Sequence, residues 1–273
     1  MKKEVIAVDL GGTNLRVALV ADDKIVRLIR KETPDSKKEL LDDLCESISE
    51  LNNGNIKGIG IGAPGPLKNG VILNPPNIPL KNFNLKEFIR KKFNVKVEVE
   101  NDAKCVALAE HKLGLGKGKK NFFVLTLGTG IGGGVIIDGK LYNSRDIGGE
   151  LGSICLDNGK KFEELAGWKA VSELTKQEFG NELYISELVK MNNSKSNEVL
   201  DEISEYMGQG IGSLINIFNP EILILAGGMR NGGEKFLDIL KSKAKKYIFL
   251  PAEYKIVWSK LDEPGIIGAG LLV

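Results

Sequence analysis

The sequence predicts an α/β protein whose core is a duplicated mixed β-sheet, and two observations lead to this prediction. Apolar runs rich in β-branched residues alternate with amphipathic helical stretches along the 273 residues. The segments EVIAVDLGGTNLRVALV and NFFVLTLGTGIGGGVIID, about half a chain apart, share one order: strand, polar residue, leucine, glycine-rich tip, second strand. Two such hairpins joined to parallel βα units give a mixed sheet that occurs twice.

The glycine-rich segment Leu125–Gly139, LTLGTGIGGGVIIDG, contains the G-x-G-x-x-G spacing of a dinucleotide-binding turn. In a dinucleotide-binding protein that turn leads from a strand into a helix. Here the glycines are followed by the β-branched run Val135–Ile137 and then by Asp138-Gly139, a typical hairpin turn. The segment is therefore predicted to be strand, glycine loop and strand, and the dinucleotide interpretation is rejected.

The helices between and after the hairpins have recognisable ends. Capping boxes begin at Ser36 and Asn84, and two phenylalanines flank the second box in the positions of a hydrophobic staple. The strand VKVEVE changes into a helix at Asn101-Asp102. A long helix over about 196–218 precedes the buried strand EILILAGG, and GIIGAGLLV predicts a closing helix.

Composition excludes several classes of protein. The chain has 38 basic and 36 acidic residues, so no global field points to nucleic acid or a membrane surface. No apolar run approaches the roughly 18 residues of a membrane span, and the N-terminus leads into a strand without a signal-peptide core. Cys45, Cys105 and Cys155 are widely spaced and outside any C-x-x-C pattern, which predicts three buried thiols in a reducing cytoplasm.

Three glycine turns predict a phosphate-binding function. Turns of this kind present several backbone N–H groups with no side chain between them and a ligand. One alone is more often only a tight turn, but three in an α/β chain, two with an adjacent threonine, favour a nucleoside triphosphate. The P-loop pattern is absent from the sequence. The turns are Gly11-Gly12-Thr13, Gly128-Thr129-Gly130 and Gly227-Gly228.

Two aspartates end predicted strands, Asp9 beside the first glycine turn and Asp102 where a helix begins. Asp9 is either a turn carboxylate or the residue that holds a water on the Mg²⁺ of a nucleotide. Asp102 is either only the N-cap of the helix that begins there or, oriented by that role, a general base for a substrate hydroxyl. Phosphoryl transfer depends mainly on positioning and electrostatics, so one carboxylate base is enough. ATP and Mg²⁺ are the expected nucleotide and metal.

Over essentially its whole length the chain resembles the ROK family of sugar kinases and repressors. The motifs that carry the resemblance occur in the family's order and spacing: VDLGGTN, GIGAPGP, PPNIPL, VENDA, TLGTGIGGGVIIDG, GGELG and LAGG. The resemblance implies an actin-like and hexokinase-like fold of the ribonuclease H-like type, with two α/β domains, an interdomain cleft and a homodimer. We place the domains at 1–112 and 113–273, with the last helix packing back towards the first domain.

The resemblance also implies roles for individual residues. Asp102 would deprotonate the sugar hydroxyl, usually the one on carbon six. The implied sugar ligands are Gly65, Asn77, Asn101, Asp102, Glu150 and Glu163, with Glu164 as a near rival of Glu163 in the sequence EELA. The implied nucleotide ligands are Asp9, Gly11, Gly12, Thr13, Asn14, Thr129, Gly130, Gly227 and Gly228.

The chain departs from the family in the segment GELGSICLDNGKKFEELAG. The family has a histidine and a cysteine cluster here, whereas Cys155 alone cannot make a zinc site that needs four ligands. We therefore expect no zinc site. Ser153 stands where the family histidine contacts the sugar, so the acceptor is open between glucose and another sugar, such as fructose, N-acetylglucosamine or N-acetylmannosamine.

A sugar-responsive regulator is the remaining class. Family repressors carry a DNA-binding helix-turn-helix ahead of the kinase-like region, whereas the first strand here is predicted from about Glu4 and no basic helix replaces it. We expect instead a cytoplasmic, ATP-dependent hexose kinase, with glucose as the first candidate substrate and with no nucleic-acid or membrane partner.

Overall fold

The computed structural model describes residues 4–75 and 77–273; Pro76, in the predicted proline-rich loop Asn74–Leu80, lies outside the described residues. In chain order the strands are β1 Glu4–Leu10, β2 Asn14–Ala21, β3 Lys24–Glu32, β4 Gly58–Ala63, β5 Leu67–Lys68, β6 Val71–Ile72, β7 Phe83–Asn84, β8 Lys96–Asn101, β9 Phe122–Leu127, β10 Ile131–Ile137, β11 Lys140–Leu141, β12 Cys155–Asp157, β13 Lys160–Lys161, β14 Ile222–Ala226 and β15 Ile256–Trp258. The α-helices are α1 Lys37–Leu51, α2 Leu85–Phe93, α3 Asp102–Lys112, α4 Phe162–Ala166, α5 Trp168–Phe179, α6 Ile185–Met191, α7 Ser194–Phe218, α8 Gly233–Lys245 and α9 Pro264–Gly270.

The first of two compact units is built from residues up to Gly114, from Leu141–Gly149 and from Leu261–Val273. Its main sheet has the order β3-β2-β1-β4-β8, in which β1, β2 and β3 are antiparallel neighbours and β4 and β8 run parallel to β1. The apolar side chains on one face of this sheet share a core with the buried stripe Leu40, Leu44 and Ile48 of α1.

The second unit comprises Leu115–Lys140 and Glu150–Lys260. Its sheet has the order β11-β10-β9-β14-β15, with β10 antiparallel to β9 and with β14 and β15 parallel to it. Strand residues such as Phe123 pack with Met207 and Ile211 of α7 in a separate core. Each unit thus has a mixed sheet built on a glycine-tipped hairpin, which confirms the predicted duplicated α/β core.

The predicted helix starts and hairpin turn are confirmed. Ser36 Oγ accepts a hydrogen bond from the Glu39 N–H at 3.4 Å, and Asn84 Oδ1 accepts one from the Glu87 N–H at 2.9 Å. The two staple phenylalanines lie with ring centroids 5.5 Å apart. The central turn residues Asp138-Gly139 have φ of 51° and 73°, as a tight hairpin requires, and lead from β10 into β11 instead of a helix.

The last helix packs on the first unit through glycine. A Cβ on Gly60 of β4 would lie 1.8 Å from the Ala269 carbonyl oxygen of α9, and a Cβ on Gly268 would lie 1.8 Å from the Cys105 carbonyl oxygen of α3. The backbones can approach this closely only because both residues lack a side chain. This contact is why the first unit takes in a late segment, whereas the sequence division into 1–112 and 113–273 used contiguous stretches.

The described residues correct one expectation about cysteine. Cys45 and Cys105 are buried, but Cys155 is exposed, so the prediction of three buried thiols is wrong at that position. Cys155 begins β12, which pairs only with the two-residue strand β13 and leaves its side chains near solvent. None of the helices in the described ranges has both the length and the apolar character needed to cross a bilayer.

Candidate active site

Asp9 lies at the end of β1 in the first unit and is 7% exposed. The hairpin register places it opposite Arg16 of β2, whose guanidinium contacts the Asp9 carboxylate at 2.9 Å. The same guanidinium donates to Glu263 at 2.7 Å, and Arg30 of β3 donates to the other Glu263 oxygen at 2.6 Å. Asp9 is therefore one end of an alternating chain of two carboxylates and two guanidinium groups, in the order Asp9, Arg16, Glu263 and Arg30.

The charged groups of this ion-pair chain shift one another's pKa values. Burial raises the pKa of Asp9 above its ordinary value, although Arg16 partly opposes this shift. Burial disfavours ionisation of Glu263 as well, but hydrogen bonds and charge from Arg30 and Arg16 outweigh it and lower the pKa of Glu263. Burial lowers the pKa of Arg16, whereas Asp9, Glu263 and, to a smaller extent, Asp102 raise it overall. Arg16 therefore lies in the field of three carboxylates, and one of them is the predicted base.

The surroundings of Asp9 fit a magnesium ion that is bound mainly through substrate phosphates. Across residues 4–75 and 77–273, His, Cys, Asp and Glu side chains nowhere gather in a group of three able to bind a metal ion. In phosphoryl-transfer enzymes Mg²⁺ usually takes one or two carboxylates and substrate phosphates and keeps several waters. A single buried carboxylate with one oxygen on Arg16 is compatible with that mode of binding.

Asn101, and not Asp102, is the N-cap of α3, so the predicted capping role of Asp102 is wrong. Asn101 ends β8 with an extended backbone, and its Oδ1 accepts a hydrogen bond from the Lys104 N–H at 3.1 Å. Capping requires such a non-helical residue, whereas Asp102 is already the first helical residue. The Asp102 carboxylate accepts a hydrogen bond from the Ala103 N–H at 2.8 Å, which fixes its orientation at the positive end of the helix.

The predicted sugar residues of the first unit form two contacts with neighbouring loops. The Asn101 side-chain amide donates to the Gly65 carbonyl at 3.5 Å. Gly65 has a φ of +85°, which favours glycine at this position. Asn77 packs on the tip of the first hairpin, because a Cβ on Gly12 would lie 2.5 Å from the Asn77 Cβ. Gly65 and Asn101 are thus brought together, and Asn77 lies beside the predicted phosphate-binding tip.

The tip of the first hairpin uses part of its own hydrogen-bonding capacity. The Gly11 N–H donates to the Asn14 carbonyl at 2.9 Å, and Thr33 Oγ1 donates to the Gly11 carbonyl at 2.7 Å. The Gly11 amide therefore closes the turn and does not face a ligand. Thr13 and Asn14 are exposed at the tip. The predicted phosphate contacts at this hairpin reduce to the amides of Gly12 and Thr13 and to the two exposed side chains.

Lys104 is a buried cation two residues after the predicted base. It is 2% exposed, and its ammonium donates to Asn143 Oδ1 at 2.6 Å and to the Asp146 carbonyl at 3.3 Å. The Asn143 amide in turn donates to the Glu100 carboxylate at 3.0 Å. These hydrogen bonds satisfy a buried charge and attach the segment Leu141–Gly149 to the first turn of α3.

Sequence reasoning missed Arg16, Glu263 and Lys104 as components of this site. A signal for Arg16 exists, because strands that flank a short tip pair residue by residue and set Arg16 opposite Asp9. Glu263 joins the site from 247 positions along the chain, and no local pattern indicates that contact. Lys104 lies only two residues after the predicted base, but only the folded chain shows that its ammonium is buried.

The second hairpin tip, Gly128–Gly130, is joined to the start of α5. The Gly128 N–H donates to the Gly130 carbonyl at 3.0 Å, and the Trp168 N–H donates to the Gly128 carbonyl at 3.0 Å. No side chain caps this 12-residue helix. Its positive N-terminal end therefore adds to the amides of the tip that carries the predicted nucleotide ligands Thr129 and Gly130.

The structure gives Glu163 and Glu164 different surroundings. A carboxylate oxygen of Glu163 lies 2.7 Å from the position that a Cβ on Gly130 would take, so this side chain lies against the hairpin tip. The Glu164 carboxylate accepts a hydrogen bond from the Lys161 N–H at 2.7 Å and so stabilises the start of α4. The geometry favours Glu163 over Glu164 as a ligand-binding residue.

Gly227 brings the end of β14 against the end of β9. Its φ is +93°, and a Cβ there would lie 2.5 Å from the Leu127 carbonyl oxygen, one residue before the hairpin tip. A Cβ on Gly228 would meet only open space. Gly228 begins the 3₁₀ helix Gly228–Gly232. Two of the three predicted glycine turns therefore meet in the second unit.

Glu150 is exposed and precedes the 3₁₀ helix Leu151–Ser153, where its carbonyl accepts a hydrogen bond from the Ser153 N–H at 3.1 Å. Gly152 packs on β10, since a Cβ there would lie 1.8 Å from the Ile131 carbonyl oxygen. Glu150 and Ser153 are therefore held beside the strand that follows the second hairpin tip.

The predicted site residues are divided between the two units. The first unit contains Asp9, Gly11, Gly12, Thr13, Asn14, Gly65, Asn77, Asn101 and Asp102, and the second contains Thr129, Gly130, Glu150, Glu163, Gly227 and Gly228.

Comparisons with known proteins agree over the whole chain. The ROK family model matches residues 5–273. A glucokinase of Thermotoga maritima is 32% identical over 311 aligned positions, which cover 100% of this chain and 98% of that relative. The structure of a ROK family glucokinase from Streptomyces griseus, in complex with glucose and AMPPNP, has a TM-score of 0.90 at 26% identity, with 99% of each chain covered.

A ROK hexokinase from Thermus thermophilus is similar too, with a TM-score of 0.83 at 29% identity over 98% of this chain and 97% of that one. These structures share the actin-like, hexokinase-like fold. The chain therefore belongs to the ROK family, as one of its sugar kinases.

Proposed function

We propose that this kinase transfers the γ-phosphoryl group of ATP to the carbon-six hydroxyl of glucose. The observation that carries the proposal is the placement of Asp102, a half-buried carboxylate oriented by the Ala103 N–H at the first turn of α3. Its charge acts on Arg16, which pairs with Asp9. The solved complex of the Streptomyces griseus relative with glucose and AMPPNP supports this pair of substrates.

In the proposed reaction Asp102 is the general base. The substrate hydroxyl gives its proton to the Asp102 carboxylate while its oxygen forms a bond to the γ-phosphorus. The bond between the γ-phosphorus and the bridging oxygen breaks, and ADP leaves. A positioned base typically contributes a factor of about 10²–10⁴ to the rate, and the rest comes from orienting the two substrates and stabilising charge.

The other predicted residues hold the substrates. Hydroxyl groups of the sugar would bind to the predicted sugar residues, and phosphate oxygens to the glycine tips with Thr13 and Thr129. Asp9, kept in place by Arg16, would hold Mg²⁺ through a water molecule. When bound, Mg²⁺ neutralises charge on the phosphates.

A second candidate is the same transfer to a different sugar, and Ser153 is the observation that favours it. A serine hydroxyl is shorter than the histidine that the family has at this position, so the contact with the acceptor must change. Ser153 is exposed and lies three residues after Glu150, a predicted sugar ligand, so the candidates for the second acceptor include N-acetylglucosamine and N-acetylmannosamine.

The test is ADP release over a panel of acceptors: glucose, 6-deoxyglucose, fructose, N-acetylglucosamine and N-acetylmannosamine. We expect the highest kcat/KM with glucose and no transfer to 6-deoxyglucose, which lacks the attacking hydroxyl. Asp102→Asn should lower kcat by at least about 10²-fold. Asp42→Asn, which changes an exposed aspartate of α1, is the matched control and should leave kcat unchanged.

Two results would contradict the proposal. Near-normal kcat in a folded Asp102→Asn protein would show that Asp102 is not the general base. A preference for an N-acetylated sugar would leave the base in place but replace glucose by the second candidate.

A further inference from the structure

Trp168 and Tyr184 form an aromatic pair on the second unit. Their rings stack with centroids 4.5 Å apart and an interplanar angle of 16°. Trp168 is partly buried against the core, whereas Tyr184 is 62% exposed. The indole therefore covers one face of the Tyr184 ring, and the opposite face is open to solvent.

The pair is attached to both predicted nucleotide loops of this unit. On one side the Trp168 N–H donates to the Gly128 carbonyl of the hairpin tip at 3.0 Å. On the other side Ile185, the residue after Tyr184, is 3% exposed and contacts the end of the 3₁₀ helix that starts at Gly228. A Cβ on Gly232 would lie 2.7 Å from Ile185 Cγ2.

The connection between α5 and α6 holds Tyr184 in position. The Leu183 N–H donates to Thr175 Oγ1 at 3.1 Å, and Ser172 Oγ donates to the Glu182 carboxylate at 2.7 Å. Both hydroxyls belong to buried residues of α5. A large exposed aromatic ring on a fixed backbone, with a second ring behind it, loses little conformational freedom when it binds a flat partner.

We infer that the open face of Tyr184, supported by Trp168, is the platform on which the adenine ring of ATP stacks. This inference rests on the proposed use of ATP. If the phosphates bind to the hairpin tip and to the loop at Gly228, the base lies one ribose away from them. The aromatic pair is hydrogen-bonded to the hairpin tip through the Trp168 N–H, and the neighbouring Ile185 packs against the end of the 3₁₀ helix that starts at Gly228. Stacking uses the faces of the two rings, so the Tyr184 hydroxyl is not required.

The test measures binding without phosphoryl transfer, by calorimetry with ADP and, separately, with pyrophosphate, each in the presence of Mg²⁺. Tyr184→Ala should raise the Kd for ADP about tenfold and leave the Kd for pyrophosphate unchanged. Tyr184→Phe should bind ADP like the natural protein. Tyr184→Leu, which keeps an apolar side chain in place, should weaken ADP binding as Tyr184→Ala does.

Two further measurements make the assignment specific. Phe249→Ala is the matched control, because Phe249 is an aromatic residue of the same unit and is 88% exposed. Its loss should not change ADP binding. The chain has two tryptophans, and Trp258 is 7% exposed in the core. ADP should therefore change the fluorescence of Trp168, and Trp168→Phe should abolish that change.

Each outcome is decisive. If Tyr184→Ala and Tyr184→Leu bind ADP like the natural protein while sugar phosphorylation is intact, Tyr184 is not the adenine platform and the proposed function stands. If Tyr184→Ala raises the KM of the sugar and not the Kd of ADP, the ring stacks on the acceptor and the inference is overturned. If the natural protein binds no ADP, both proposals fall together.

Discussion

The two glycine-tipped hairpins have the same strand topology but opposite electrostatic character. In the first unit the position two residues before the tip is Asp9, and its partner in the register is Arg16. In the second unit the corresponding position is Thr126, and its partner is Gly132. An ion pair between a buried carboxylate and a partly exposed guanidinium in one copy thus corresponds to a neutral threonine–glycine pair in the other.

The contrast extends to the strand at the far edge of each sheet. In the first unit Asp102 comes three residues after Val99, which pairs with Ile61 of β4. In the second, Trp258 of β15 pairs with the corresponding residue of β14, and the residue three positions after it is the apolar Leu261, which begins the late segment of the first unit. Only the first copy therefore carries the charged residues proposed for catalysis. The duplicated fold is shared by both units, and the side chains alone decide which of them carries the proposed general base.

We expect the largest effect from a substitution that breaks the ion pair of the first hairpin. Asp9→Ala leaves the Arg16 guanidinium without one of its two carboxylates, and we expect the free energy of unfolding to fall by about 3 kcal/mol. The corresponding change in the second hairpin, Thr126→Ala, should cost about 1 kcal/mol or less. Urea unfolding of both variants measures the difference. Equal losses would show that the two hairpins are energetically alike.

A second change tests the backbone of the second unit. Gly227→Ala places a Cβ 2.5 Å from the Leu127 carbonyl oxygen at a φ of +93°, so we expect a loss of about 2–3 kcal/mol. Gly228→Ala meets open space and is the matched control. Thermal unfolding should give a lower melting temperature for Gly227→Ala than for Gly228→Ala. Similar melting temperatures would contradict the close contact between Gly227 and the Leu127 carbonyl.

A third change separates helix capping from catalysis in the first unit. Asn101→Ala removes the N-cap of α3 and should destabilise the protein by about 1 kcal/mol. Asp102→Asn changes a residue inside the helix and should lower stability by less than about 0.5 kcal/mol. Chemical denaturation provides the measurement. A larger loss in Asp102→Asn than in Asn101→Ala would mean that the aspartate caps the helix after all.

The smallest effect concerns the outer carboxylate of the ion-pair chain. Glu263→Gln should lower the free energy of unfolding by at most about 1 kcal/mol, because Glu263 is partly exposed to solvent. The pKa of Glu263 is lowered in the folded protein, so its contribution is complete at neutral pH. It is lost as the pH falls below its ordinary value of 4.5 and through the lowered pKa. The free energies of unfolding of the natural protein and the variant should therefore converge in acid. A difference that grows as the pH falls would contradict the lowered pKa of Glu263.

Local signals were sufficient for much of the fold. Hairpins follow from alternating apolar strands around glycine tips, and helix starts follow from capping residues such as Ser36 and Asn84. The switch at Asn101-Asp102 was located to the residue, but the capping role was assigned to Asp102 instead of Asn101. Capping depends on one residue's backbone angles, and the side-chain types alone do not distinguish two adjacent polar residues.

The sequence by itself determined the duplicated mixed sheet, the glycine tips and the residue types available for chemistry, because these depend on patterns within about twenty residues. Only the tertiary structure decided which groups act on one another. Glu263 reaches Arg16 from 247 positions away, and Tyr184 stacks on Trp168 because α5 and α6 fold back on one core. Such contacts depend on how distant segments pack, and packing is decided by the whole chain at once, so no short stretch of residues encodes them.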